Sequence, residues 1–358
     1  MESCNIIIQM NELPKKKIII DDVAKRAGVS TATVSRVING FEGVSSDVSF
    51  RVNSAIEELG YVRPVKSKDR DGVERYVGIV VPHIQNPYSN NLVQEIQNTL
   101  ENLGYSVAIM DSKNDPEKSI KCVELLVKTG ISGLIFIPTH HRSKEEMKLE
   151  EFNVPMVFLG RRVDLENICF VGSETFIGAY NGANYLLSLG HKNILYITGD
   201  RDSVLNEEES CVDQLGFNGF LKAYNEKGLT FNYDNLVSGD YSTSETFDLV
   251  SDRIKKGGFT AIFTSGDVMA YGAYKAILSS GLTIPGDISV LGFDDLPMSS
   301  VLDLTTISQN AFGIGQNAAL LMDDLIEKRK VGPQEIILPT NLCIRSTCGI
   351  VKSNNPEI

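Results

Sequence analysis

From Tyr76 onward the chain alternates short apolar runs with longer stretches in which apolar residues recur every three or four positions. YVGIVVP, YSVAIMD, ISGLIFIP and PMVFLG read as strands, and NLVQEIQNTLENLG and SIKCVELLVKTG between them as helices. A second series repeats the alternation. Its strands are NILYITG, AIFTSG and ISVLGFDD, and its helices lie around IGAYNGANYLLSLG, GFNGFLKAYNEKG, TSETFDLVSDRIKKG and VMAYGAYKAILSSG. Continuous apolar strands separated by amphipathic helices predict parallel sheets covered on both faces. Two doubly wound lobes are expected, with a ligand between them at the carboxyl ends of the strands.

The pattern before Tyr76 is different. Asp21 or Asp22 can cap a helix that runs through Val23, Ala24 and Ala27 and stops at Gly28. Ser30 can cap a second helix, with Val34, Val37 and Ile38 on one face and Thr31, Ala32, Ser35 and Arg36 on another. Ser45 can cap a third, with Val48, Val52, Ala55, Ile56 and Leu59 at helical spacing before Gly60. Three short amphipathic helices can bury one small core. The second then presents a slim face of hydroxyls, a methyl group and one guanidinium, which suits a helix-turn-helix reading the major groove.

Composition tests that reading. A net charge of −12 over 358 residues argues against nucleic acid, but the charge is unevenly placed. Residues 15–70 carry 11 Lys/Arg against 7 Asp/Glu, a net +4, and residues 71–358 carry 23 against 37, a net −14. A basic head on an acidic body fits a protein whose head alone meets phosphate. The six cysteines are scattered without a C-x-x-C pair, so neither a disulfide framework nor a zinc site is expected. No secretory signal and no membrane-length apolar run is evident, and a cytoplasmic setting is expected.

The string DDVAKRAGVSTATVSRVINGFEGVSSDVSFRVNSAIEELGY resembles the DNA-binding head of the lactose/galactose-repressor (LacI/GalR) family. The body carries NPYSNN, GRRV, SLGHKNI, SGDVMAYGA, GDISVLGFDD and LTTISQ in that family's order. The resemblance implies a helix-turn-helix head, an α/β periplasmic-binding-protein-like core of two doubly wound lobes, a small effector in the cleft and a homodimer. It implies that Thr31, Ala32 and Arg36 face base edges, and that Ser30, Thr33, Ser35 and Asn39 approach phosphates. Tyr88, Tyr241, Asp267 and Asp294 are the implied effector-binding residues, in a pattern suited to a saccharide. The implied crossings between lobes lie near Ser173, Ser300 and Lys330.

The expected organisation is a tail (1–17), a head (18–62), a linker (63–75), a core (76–348) and a disordered tail (349–358). The N-lobe would hold about 76–173 and 300–329, and the C-lobe about 174–299 and 330–348. Three places depart from the family pattern. Ile19 stands where a Thr usually opens the first helix, and the charged linker after Pro64 has no apolar wedge for the minor groove. In the body, Gly216 stands where an Arg usually precedes the G-F pair, Ser89 replaces an aromatic and Gly266 an Asn. A missing guanidinium disfavours an acidic effector.

No nucleophile elbow, P-loop or His pair at metal spacing occurs, so no enzyme activity, cofactor or metal is expected. G-x-G-x-x-A at Gly313–Ala318 is read as chance, since no convincing buried strand is seen before it. The expected function is a sequence-specific transcriptional regulator, a repressor, binding double-stranded operator DNA under control of a saccharide-like effector. Two alternatives are a regulator answering to a protein partner and a solute-binding protein of a transporter.

Overall fold

The computed structural model describes residues 19–38, 46–59, 61, 75–138, 144–163, 165, 168–205, 212–330 and 332–352. The chain divides into two compact units, Met1–Asp69 and Arg70–Ile358. The expected N-terminal tail, and the expected linker apart from Arg75, lie outside the described residues.

In the head, α1 (Ile20–Ala27), α2 (Thr31–Ile38) and α3 (Ser46–Leu59) enclose a core of Val23, Ala24, Ala27, Val34, Val52, Ala55 and Tyr61. Helix α1 starts one turn earlier than the expected Asp cap. Its cap position is Ile19, and Asp22 reaches back so that its carboxylate accepts from the Ile19 N–H at 3.0 Å. The acidic side chain thus serves the helix start from inside the first turn, where the macrodipole also favours it. Gly28 ends the helix at φ +68°, and Arg51 of α3 donates to the Ala27 carbonyl at 3.1 Å. Ser30 caps α2 as its sequence suggests, accepting from the Thr33 N–H at 3.1 Å. The Ser45 cap falls outside the described residues.

The body holds two six-stranded sheets. The first comprises β1 (Tyr76–Val81), β2 (Ser106–Asp111), β3 (Gly133–Phe136), β4 (Met156–Leu159), β5 (Cys169–Ser173) and β11 (Glu335–Leu338), in the order β11-β5-β4-β3-β1-β2. The second comprises β6 (Ile194–Thr198), β7 (Leu236–Ser238), β8 (Ala261–Thr264), β9 (Ser289–Asp294), β10 (Thr305–Ser308) and β12 (Asn341–Cys343), in the order β12-β10-β9-β8-β6-β7. All pairings are parallel except β10 with β12. Central strands β3, β6 and β8 are buried along their whole length, which is why they read as unbroken apolar runs.

Helices cover both faces of each sheet. In the N-lobe, α4 (Pro87–Asn102) and α12 (Ala311–Ile326) pack over Ile79, Ile135 and Val157, and α5 (Pro116–Lys128) covers Val80, Leu134 and Phe136. In the C-lobe, α6 (Thr175–Ser188) and α8 (Val212–Glu226) enclose an aromatic core in which Tyr196 meets Phe217, Phe220 and Phe263. Helices α9 (Thr243–Lys256) and α10 (Asp267–Ser279) cover the opposite face. Short helices α7 (Arg201–Leu205) and α11 (Pro297–Val301) follow β6 and β9.

Strand pairing corrects the expected lobe boundaries. The first crossing does fall after Ser173, where β5 gives way to α6. The second lies at Gln309–Asn310 and not near Ser300, because β10 pairs with β9 inside the C-lobe before α12 packs on the N-lobe. The third lies at Pro339–Thr340 and not near Lys330, between β11 on the N-lobe sheet and β12 on the C-lobe sheet. Short strands next to a crossing bury too few residues to announce a side from sequence. The chain also continues in order past 348: the Val351 N–H bonds to Leu189 O at 3.0 Å, and Gly349 O bonds to the buried His191 ring at 2.9 Å.

Buried strand β10 does precede G-x-G-x-x-A, against the sequence reading. Strand and helix nevertheless belong to different lobes. Gly315 is there for packing, since a Cβ would come within 2.8 Å of Glu95 Cβ on α4.

Candidate functional site

Helix α2 presents Thr31, Ala32 and Arg36 as exposed residues, with Ala32 and Arg36 one turn apart on one face. Ser30 is exposed while Thr33 and Ser35 are half-buried, and the Ser30 and Thr33 hydroxyls lie 2.8 Å apart. Asn39 lies outside the described residues. The helix buries Val34 against the head core, which turns the slim face outward. That face can do what the sequence suggests: small side chains allow close approach, and the guanidinium can grip a guanine through two acceptors.

The body contains a cavity of about 1000 Å³, its open mouth included. Its wall is made where strands of both sheets end: Pro82 after β1, Ile137 after β3, Gly160 after β4, Ser173 of β5, Ser265 after β8 and Asp294 of β9. Ligand sites of doubly wound sheets form at such carboxyl edges, because the chain there leaves the ladder and its side chains become free to face a crevice.

Tyr88 enters through the start of α4. Asn86 caps that helix, accepting from the Tyr88 N–H at 2.9 Å, and Pro87 occupies the first turn without needing a donor. The Tyr88 ring packs against the cores of both lobes. Burial, and then the negative charge of Asp294, push its phenol well above its usual range.

Tyr241 is fixed from several sides. Its backbone adopts φ +49°, and its ring lies over Gly199, where a Cβ would come within 1.9 Å of ring carbons. Its hydroxyl donates to Asp213 Oδ1 at 2.7 Å, and Ser265 donates to the same oxygen at 2.9 Å. Burial, followed by the Asp213 charge, raises the Tyr241 phenol far above its ordinary value and so keeps it a donor.

Asp294 closes β9 with φ +126°, a conformation that a side-chain-bearing residue adopts only when its surroundings hold it there. Gln309, at the second crossing, donates to Asp294 Oδ1 at 2.7 Å and accepts from the Ser173 hydroxyl at 2.8 Å. One side chain therefore connects the cleft carboxyl to two of the three inter-lobe crossings. Burial, then the neighbouring Asp267 charge, raises the Asp294 carboxyl well above the usual range.

Asp267, expected from the sequence among the effector-binding residues, is fully buried and is not among the residues that line the cavity. It opens α10, and its carboxylate accepts from Leu296 N at 2.9 Å, Ser299 Oγ at 2.5 Å and Thr306 Oγ1 at 2.6 Å. Gly292 on β9 leaves the space, since a Cβ there would sit 2.2 Å from Asp267 Oδ1. This side chain joins α10, α11 and β10.

Three comparisons with known proteins bear on this arrangement. The family description "bacterial regulatory proteins, lacI family" matches residues 19–64, and "periplasmic binding protein-like domain" matches residues 183–348. The HTH-type transcriptional repressor PurR of Histophilus somni (strain 129Pt) is 30% identical over 92% of this chain and 98% of its own length. The ribose operon repressor of Halalkalibacterium halodurans is 31% identical over 92% of this chain and 96% of its own. Among solved structures, a lac repressor dimer bound to operator and the anti-inducer ONPF matches with TM-score 0.67 and 28% identity, covering 93% of this chain and 99% of that one.

The chain belongs to the lacI family of bacterial regulatory proteins. It is a DNA-binding transcriptional regulator with a periplasmic-binding-protein-like body. In this lacI-family chain, sequence reasoning missed Asp213, Ser173, Ser265 and Gln309, all of which line the cleft. The signal for Gln309 was within LTTISQ, whose last residue is Gln309 itself, at the second crossing. Asp213 lies before the GFNGFLKAYNEKG stretch expected to be helical, whereas α8 begins at Val212 and carries the carboxylate on its first turn. No helix among the described residues is long and apolar enough to cross a membrane.

Proposed function

We propose that this regulator is a repressor acting as a homodimer. Two copies of α2 enter successive major grooves of a palindromic operator, and a small polyhydroxylated molecule, a sugar or sugar derivative, sets operator affinity from the cleft. The observation that carries the reading is the cleft itself: strand ends of both lobes supply aromatic walls and hydrogen-bonding side chains, with Gln309 tied to both the cleft and a crossing. Tyrosine faces suit the apolar side of a sugar ring, and carboxyl oxygens accept its hydroxyl protons. A cavity of this kind favours a small molecule over a protein partner.

The repressor direction is supported by the names of relatives at 30% and 31% identity, and the dimer by the operator-bound lac repressor structure. An effector that binds one lobe arrangement more tightly shifts the population, and DNA affinity follows by linkage. Residues Thr31, Ala32 and Arg36 read bases, and Ser30, Thr33, Ser35 and Asn39 approach phosphates. Tyr88, Tyr241 and Asp294 contact the effector.

Footprinting on the promoter beside the chain's own gene is the test. A protected palindrome, with Arg36→Ala losing about 1–3 kcal/mol of preference for it over scrambled DNA, is the expected result. Equal weakening on every sequence would remove Arg36 from base reading, and sequence-independent protection would overturn the operator reading.

A further inference from the structure

We infer that the effector carries a positively charged nitrogen, as an amine-bearing sugar does. This rests on the reading of the cleft as an effector site for a polyhydroxylated small molecule, and concerns its charge.

Two carboxyl groups, Asp213 and Asp294, line the cavity. Asp213 is 5% exposed, and both hydrogen bonds that reach it, from Tyr241 and Ser265, go to Oδ1. Its Oδ2 takes no hydrogen bond among the described residues, which leaves an acceptor in the wall of the cavity. The Tyr241 ring lies between the two acids. Its hydroxyl holds Asp213, while its ring edge and Asp294 Oδ2 both border the site of the absent Gly266 Cβ, at 3.3 and 3.5 Å. Asp294 also feels the Asp213 charge directly.

The one cationic side chain that lines the cavity, among the described residues, is already balanced. Arg161 is buried and paired with the buried Glu146, and it donates a further bond to Arg162 O at 3.3 Å. Gly216, lining the cavity one turn into α8, brings no side chain at all. Burial holds Asp294 toward its neutral form, so the negative charge that faces the cavity is that of Asp213, and no other lining residue among the described ones supplies a counter-charge to it. Transfer of an anion into the cavity is opposed twice, by desolvation and by repulsion. A neutral sugar could donate hydroxyl protons to these oxygens but would leave the charge uncompensated. An ammonium group answers both, and the faces of Tyr88 and Tyr241 offer it additional attraction.

The experiment uses the full-length protein and calorimetric titration with four probes. D-glucosamine and D-galactosamine are compared with N-acetyl-D-glucosamine and D-glucuronate, which keep the ring and remove or invert the charge. At least one amine should bind ten-fold or more tightly than the N-acetylated and acidic probes, and Asp213→Asn should weaken that amine by about 100-fold. In a second measurement free of any ligand, Asp213→Asn should raise the melting temperature of the empty protein, because it removes an uncompensated buried charge. Tighter binding of the N-acetylated or acidic probe overturns the charge inference while the sugar reading stands. Failure of all four at millimolar concentration, with an unchanged or lowered melting temperature for Asp213→Asn, overturns both.

Discussion

In the N-lobe, β2-β1-β3-β4-β5 run parallel and β11 joins parallel to β5, whereas in the C-lobe β7-β6-β8-β9-β10 repeat that order and β12 joins antiparallel to β10. The two frames are alike, yet they line the cleft differently. Most N-lobe contributions are apolar or neutral: Pro82, Ile137, Pro138, Leu159 and Ile314, with Tyr88 and Ser89. Among the described residues its charged contribution is Arg161, which is paired with the buried Glu146. The C-lobe brings Asp213, Asp294, Tyr241 and Ser265. Topology fixes where a cleft forms, and individual strand-end residues decide what it recognises. On the effector reading proposed above, the C-lobe would select by hydrogen bond and charge, and the N-lobe would supply the surface on which a ring can lie.

The contrast breaks first at the Arg161–Glu146 pair. Both side chains are under a tenth exposed, so Glu146→Gln takes a carboxylate partner away from a buried guanidinium. The expected cost is about 3–5 kcal/mol in urea unfolding. In the same variant one negative charge is removed from beside the cleft, so D-glucuronate should bind better than it does to the wild-type protein. A loss below about 1 kcal/mol would mean that the pair is solvated and that the N-lobe wall is not neutral in the way described. In the C-lobe, Asp267→Asn should cost about 1–3 kcal/mol, because an amide nitrogen then faces one of three donors now satisfied by the carboxylate. If that variant instead lost effector affinity at unchanged stability, Asp267 would belong to the cleft after all.

The Asp267 and Asp294 pair also shows how much could be read from the chain. Alternation of apolar strands and helices was enough for two doubly wound lobes, and the amphipathic spacing, the Ser30 cap and the slim face of α2 were enough for the head, although the first helix is capped at Ile19 and not at an Asp. The two acids, however, occupy equivalent-looking places, at or just past the ends of β8 and β9. Only tertiary packing separates them: Gly292 opens a space beneath β9 into which Asp267 turns, while Asp294 is carried outward by its positive φ. Neither event has a local sequence signal. The misplaced crossings have the same origin, since β10 and β11 are four residues each and declare their lobe only through pairing. Asp213 and Gln309 were missed because their partners lie 28 and 15 or more residues away in the chain.

Gln309 gives a smaller effect that sharpens the comparison. It links the C-lobe acid Asp294 to Ser173, the last residue of β5 in the N-lobe sheet. Gln309→Leu keeps the bulk and removes both bonds. The expected outcome is a drop of about ten-fold in the effector's influence on operator affinity, a coupling change of about 1.4 kcal/mol, with effector-free DNA binding less affected. Gel-shift titrations with and without effector measure it. An unchanged ratio would mean that lobe movement is transmitted elsewhere.

The smallest predicted effect is on pH. Burial pushes the Asp267 carboxyl up to about 6, against an ordinary value near 3.8, and Asp294 moves in the same direction. A carboxyl raised in the folded state binds protons that the unfolded chain does not, so its contribution is complete below the unfolded value and is lost as pH rises through about 6. From pH 7 to pH 6, Asp267 alone should stabilise the body by about 0.4 kcal/mol. His191 acts in the opposite sense. Burial lowers its pKa, so below its ordinary 6.5 the unfolded chain takes up a proton that the folded ring resists. The difference between wild type and Asp267→Asn isolates the carboxyl, because His191 is common to both. The wild-type unfolding midpoint should gain on the variant as pH falls from 7 to 6. Parallel curves would show that the three donors hold Asp267 ionised throughout, and that burial is outweighed at the most enclosed acid of the C-lobe.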